Sequence, residues 1–139
     1  MQIGYTKQAE NVLKTARSAA KELRHPYIGT EHLLLGLRRV FTGVAGQILA
    51  TNGVNENEIL KVIGELISPT EEVVFEGKAE RSPRLEYLLE NSRREAERFQ
   101  ASEVGTEHML MAIVRDSECV AVVKVKFYVT CGDLYAFWI

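Results

Sequence analysis

Apolar residues recur at three- and four-residue steps near the start of the chain: Ala9, Val12, Leu13, Ala16, Ala20 and Leu23 form one stripe, and Lys7, Lys14, Lys21 and Glu22 fall mostly off it. That spacing predicts an amphipathic helix of about five turns with Thr6 as its N-cap. His25-Pro26 is expected to stop it, because proline disfavours helical geometry in the residue before it. A tight turn leads to Gly29, and Thr30 is read as the cap of a second helix carrying Leu33, Leu34 and Leu37 inward. This helix is short and strongly apolar, which places it centrally. Phe41-Thr42-Gly43 breaks the pattern, and a third helix is expected from Val44 to Thr51, ended by Asn52-Gly53. Asn55 with Glu58 then caps a fourth helix whose inner face is Ile59, Val62, Ile63, Leu66 and Ile67.

The pattern then repeats. Ile28-Gly29-Thr30-Glu31-His32-Leu33-Leu34 returns as Val104-Gly105-Thr106-Glu107-His108-Met109-Leu110, 76 positions later (105 − 29). The same offset maps Thr6 onto Ser82, Leu13 onto Leu89, Ala20 onto Ala96, Leu23 onto Phe99 and Val44-Ala45 onto Val120-Ala121, with no gap. Repeat one spans residues 1–67, a charged linker runs over 68–81 with Val73-Val74-Phe75 as its apolar part, and repeat two covers 82–121. Ser82 followed by Pro83 is a favoured helix start, and Leu85, Leu88, Leu89, Ser92, Ala96 and Phe99 rebuild the first stripe. Asp116 or Ser117 would cap the next helix. From residue 122 to 139 the register fails: Val122-Val123-Lys124-Val125-Lys126-Phe127-Tyr128 alternates like a strand or a sticky tail, so the reading frame or the gene is expected to depart from an ancestral second repeat near Ala121. The expected fold is all-α, two tandem pseudo-symmetric four-helix repeats in one domain, with the C-terminal part of the second divergent.

Composition narrows the function. With 139 residues and 46% apolar content, the chain can bury one ordinary core, whereas either half alone would be marginal. Seventeen basic and nineteen acidic residues are interspersed, which argues against a nucleic-acid surface. Lys124, Lys126 and Asp133 interrupt the apolar tail, so no membrane span is expected, and the N-terminus lacks an export signal, giving a cytoplasmic expectation. Cys119 and Cys131 lack metal-ligand spacing and read as reduced thiols. No GxxxxGK[ST], HExxH or activated nucleophile is present, so catalytic residues, metal ligands and cofactors are all set at none. Glu31 with His32, or Glu107 with His108, makes a poor acid/base pair, because adjacent helical residues point about 100° apart.

The repeated Gly-Thr-Glu-His has a plain structural reading. Glycine permits the turn, threonine caps, and glutamate complements the helix dipole, with His32 and His108 as packing or hydrogen-bonding residues. Glu31 and Glu107 leave room for more: a carboxylate beside helix N-terminal amides makes a bipolar site, the amides attracting an anion and the carboxylate pairing with a guanidinium. A phosphorylated arginine carries both groups.

The tandem motif, with Tyr5-Thr6 and Ser82-Pro83-Arg84 at the helix starts, resembles the N-terminal Clp repeat domain of ClpC-type AAA+ unfoldases over residues 1 to about 121. The resemblance implies a non-catalytic domain that sits on an ATPase ring, receives protein substrates and adaptors of MecA or McsB type, and serves a ClpP-like peptidase. It also implies phosphoarginine recognition, with Glu31 and Glu107 taking the guanidinium and Thr6 and Ser82 on the phosphate side. Of the two copies, the Glu31 site has the more intact sequence around it. The alternative is a free-standing all-α interaction protein that competes for the same adaptors.

Overall fold

Helix starts and stops follow from local chemistry. A computed structural model of the protein describes residues 3–66 and 80–115, and these contain six helices: α1 (Lys7–Glu22), α2 (Thr30–Arg39), α3 (Val44–Thr51), α4 (Glu56–Leu66), α5 (Pro83–Arg98) and α6 (Thr106–Arg115). Thr6 Oγ1 accepts from the Ala9 N–H at 3.1 Å, and Ser82 Oγ accepts from the Leu85 N–H at 3.1 Å, so both repeats open on the expected cap. Asn55 Oδ1 accepts from the Glu58 N–H at 2.8 Å at the start of α4, and Gly53 ends α3 at φ 79°.

The end of α1 corrects the reading from proline. The helix closes at Glu22, and Arg24 turns left-handed at φ 58° while the His25 N–H donates to the Ala20 carbonyl. The second repeat closes the same way, Gln100 at φ 56° and the Ala101 N–H on the Ala96 carbonyl, with Ser102 where the first repeat has Pro26. A stop that recurs without proline is set by the left-handed turn, so Pro26 only follows it.

The all-α expectation holds: among the described residues the only extended pairings are two isolated bridges. α2 is central, packing against all five other helices, with Leu33, Leu35 and Leu37 fully buried. α6 is its counterpart, burying Met109, Leu110, Met111 and Ile113. Together with Val12, Ile48, Leu49, Leu85, Leu88 and Leu89 these side chains form one core across both repeats. Each fully buried aliphatic side chain contributes about 1.5–3 kcal/mol, so the shared interior is what makes two marginal halves stable. Glu95, on the inner face of α5, is buried as well and pairs with Arg115 at 2.9 Å and Arg98 at 3.7 Å. No single helix among the described residues is long and apolar enough to cross a membrane. The expected linker apart from residues 80 and 81, the caps at Asp116 or Ser117, both cysteines and the divergent tail lie outside the described residues.

The two bridges join the repeats. Tyr5 pairs in parallel with Val104, through the Thr6 N–H on the Val104 carbonyl at 2.9 Å and the Val104 N–H on the Gly4 carbonyl at 2.8 Å. Ile28 pairs with Arg81, through the Ile28 N–H on the Glu80 carbonyl at 3.0 Å and the Ser82 N–H on the Ile28 carbonyl at 2.9 Å. Tyr5 and Arg81 are equivalent by the 76-residue offset, as are Ile28 and Val104. The pseudo-symmetry therefore reaches the backbone.

α1 and α2 approach closely at Gly36, where a side-chain carbon would sit 2.8 Å from the Val12 carbonyl oxygen. Gly64, in α4, faces open space. Gly36→Ala should therefore lose about 1–3 kcal/mol in urea denaturation, by forcing backbone apart, whereas Gly64→Ala should gain about 0.5–1 kcal/mol through reduced unfolded-state entropy. Equal effects of the two substitutions would contradict this packing.

Candidate functional site

The repeated motif builds two equivalent helix starts. Gly29, with φ −107°, is the N-cap of α2, and Thr30 is the first helical residue, which corrects the expected threonine cap. Capping runs backwards through histidine: the Gly29 N–H donates to His32 Nδ1 at 2.8 Å, and the Gly105 N–H donates to His108 Nδ1 at 2.8 Å. The threonine works elsewhere. Thr106 Oγ1 accepts from the Ala45 N–H at 3.2 Å, so repeat two caps the third helix of repeat one.

The glycine is also explained differently. Its backbone is one any residue adopts, but a methyl group on Gly29 would collide with the Glu31 carboxylate, and one on Gly105 with that of Glu107. Each glutamate thus folds back over its own helix start, in the place an anion would take. Glu31 is 15% exposed and Glu107 18%. Burial pushes the Glu31 carboxyl above the usual carboxylate range, opposed by its own backbone N–H and the Thr30 hydroxyl. Glu31 Oε1 is buried and accepts no hydrogen bond among the described residues.

The four site residues expected from sequence lie at four helix starts that the two crossed bridges link between the repeats. The Tyr5–Val104 bridge sets the Thr6 backbone beside the residues that lead into α6, and the Ile28–Arg81 bridge sets the Ser82 backbone beside those that lead into α2. Neither pairing is visible in the order of residues along the chain. Both hydroxyls accept from backbone as caps and so keep their own proton available to donate.

The first site has one feature that the second lacks. Because His32 Nδ1 accepts, its proton is on Nε2, which donates to His25 Nδ1 at 2.6 Å; both rings are buried. The offset places Ala101 where His25 would recur. Burial, with His25 nearby, pushes His32 down to about 4, and burial also lowers His25 and His108. His32 is therefore neutral near pH 7, and its 3.7 Å approach to Glu31 is not an ion pair. No group of three or more His, Cys, Asp or Glu among the described residues could hold a metal ion.

Residues 4–125 match the Clp repeat (R) N-terminal domain. The chain belongs to that family. Such a domain is the non-catalytic N-terminal part of Clp ATPases. The ATP-binding subunit ClpC of the ATP-dependent Clp protease of Staphylococcus epidermidis is 36% identical over 116 residues, 84% of this chain, and its counterpart in Staphylococcus saprophyticus is 37% identical over the same length. The chain spans 14% of the length of these relatives. Among solved structures, the N-terminal domain of the chaperone ClpD from Arabidopsis thaliana superposes with a TM-score of 0.74 at 16% identity, covering 97% of this chain and 95% of that one. A ClpV N-domain in complex with a VipB peptide gives 0.74 at 18% identity, covering 97% and 85%. At these identities the structures establish the shared all-α fold of this Clp N-terminal domain.

The buried histidines set a pH dependence. His32 takes a proton near 6.5 when unfolded but only near 4 when folded, so between these values the unfolded chain binds more protons and stability falls as pH falls. The loss for this residue should be about 3 kcal/mol between pH 6.5 and 4. The raised Glu31 carboxyl acts oppositely, since its contribution is present in acid and lost as pH rises. In urea melts across that range, His32→Gln, which keeps an acceptor for the Gly29 N–H, should flatten the slope. A slope as steep as that of the unaltered chain would contradict the assignment.

Proposed function

We propose that this Clp N-terminal domain receives protein substrates and MecA- or McsB-type adaptors for a ClpC-like ATP-dependent unfoldase working with a ClpP-like peptidase in the cytoplasm, and that it reads phosphoarginine at the two helix starts. The observation that carries the mark-reading role is the Glu31 carboxylate. It is desolvated, one of its oxygens accepts no hydrogen bond among the described residues, and the Ile28–Arg81 bridge ties the chain leading into its helix to the start of α5. A buried acceptor without a donor is unfavourable by about 1–3 kcal/mol, and a guanidinium supplies two parallel N–H groups that would relieve it. Ser82 and the first amides of α5 would then meet the phosphate, with a proton to donate and the positive end of a helix dipole. Glu107, which folds back over its own helix start in the same way, would serve with Thr6 and α1 as the second site.

The adaptor role rests on family membership and on the ClpV N-domain that was solved with a VipB peptide. Binding a folded adaptor alongside a marked side chain would give an unfoldase two independent ways to select cargo.

Calorimetric titration with a phosphoarginine peptide tests the reading. The unaltered chain should bind, and Glu31→Ala combined with Glu107→Ala should weaken binding by about a hundredfold or more while leaving the thermal melt cooperative. Unchanged affinity in the double variant would overturn the assignment of the glutamates, and no binding by the unaltered chain would overturn mark reading altogether.

A further inference from the structure

The two halves differ at one pair of equivalent surfaces. Against α5, the Tyr5 ring packs on the core with the Arg93 guanidinium 5.6 Å above its centroid; Arg93 Nη2 donates to the Tyr5 hydroxyl at 3.4 Å, and Glu90 pairs with Arg93 at 3.4 Å. The 76-residue offset carries Tyr5 to Arg81, Arg93 to Arg17 and Glu90 to Lys14. On the α1 side the ring is thus replaced by a guanidinium and the carboxylate by an ammonium. The place that Tyr5 fills in one half is an open groove of about 600 Å³ in the other, floored by Leu13, Ile28 and Leu85 and rimmed by Lys14, Arg17 and Arg81.

Cations outnumber carboxylates at this groove. Glu10 is the single carboxylate in its lining, and Glu86 approaches Arg81 at 3.7 Å. Lys14 and Arg17 are exposed and make no ion pair among the described residues. Three cations around an apolar floor repel one another and attract a carboxylate-bearing partner, while an aromatic ring on the floor would lie under Arg17 as Tyr5 lies under Arg93.

We propose that this groove docks a partner polypeptide through an aromatic side chain flanked by carboxylates. The ring takes the place that Tyr5 occupies in the other half, and the carboxylates pair with Lys14 and Arg81 as Glu90 pairs with Arg93. This surface selects an acidic segment, unlike the helix-start glutamates, which select a cation. It therefore stands whether or not phosphoarginine is read.

Fluorescence anisotropy of a labelled Asp-Glu-Phe-Glu-Asp peptide, titrated with the full 139-residue chain, tests the proposal. Saturable binding should weaken about tenfold when the peptide's phenylalanine is replaced by alanine, and about tenfold in Arg17→Ala. It should disappear in Arg81→Tyr, which rebuilds the plug of the other half, and survive in the Glu31→Ala, Glu107→Ala double variant. Thermal melts identify any variant that fails to fold; Arg17, exposed on α1, carries the test if Arg81→Tyr does so. Absence of saturable binding to the unaltered chain, equal affinity for the phenylalanine and alanine peptides, or full affinity in a folded Arg17→Ala would overturn it.

Discussion

Two short backbone pairings hold this domain in register. The residues ahead of α1 bond to those ahead of α6, and the residues ahead of α5 bond to those ahead of α2. Every one of these N–H and C=O groups would otherwise need a partner at the edge of an apolar core, and each repeat finds those partners only in the other. The crossing fixes which helix starts lie side by side, and it packs α2 and α6 into a common interior. The proposed sites are composite for this reason: the bridges tie the chain leading into the Glu31 helix to Ser82, and the chain leading into the Glu107 helix to Thr6. Thr106 capping α3 is a third instance of one repeat completing the other.

Much of this fold was legible in the residues. Helical periodicity located the helices, and the caps at Thr6, Ser82 and Asn55 work as their side-chain chemistry predicts. What stayed hidden was whatever depends on a neighbour distant in sequence. The roles within Gly-Thr-Glu-His were redistributed for that reason: histidine caps, threonine reaches another helix or lies buried, and glycine makes space for a carboxylate. The folding of Glu31 and Glu107 back onto their own helix starts had no signature in the sequence. Glu95 escaped notice because a carboxylate on a helix reads as surface until its arginine partners are seen.

The internal repeat also shows where the chain has specialised. Positions equivalent by the offset and alike in chemistry build the scaffold, such as Ala20 and Ala96, which accept the closing hydrogen bonds of α1 and α5. Positions that differ mark local devices. His25 against Ala101 gives one helix start a buried imidazole pair, and Arg81 against Tyr5 leaves a basic groove open in one half and filled in the other. The repeat thus leaves two closely similar helix starts and one groove without a counterpart.

The central claim is that the repeats form one cooperative unit through the crossed bridges, so that neither candidate site exists without both. Native-state amide hydrogen exchange at Thr6, Ile28, Ser82 and Val104 tests it most directly. These four amides should exchange only on global unfolding, with the same dependence on denaturant as the fully buried amides of α2 and α6. Faster exchange of the four, independent of denaturant while the helices stay protected, would show that the bridges open locally and would contradict the account.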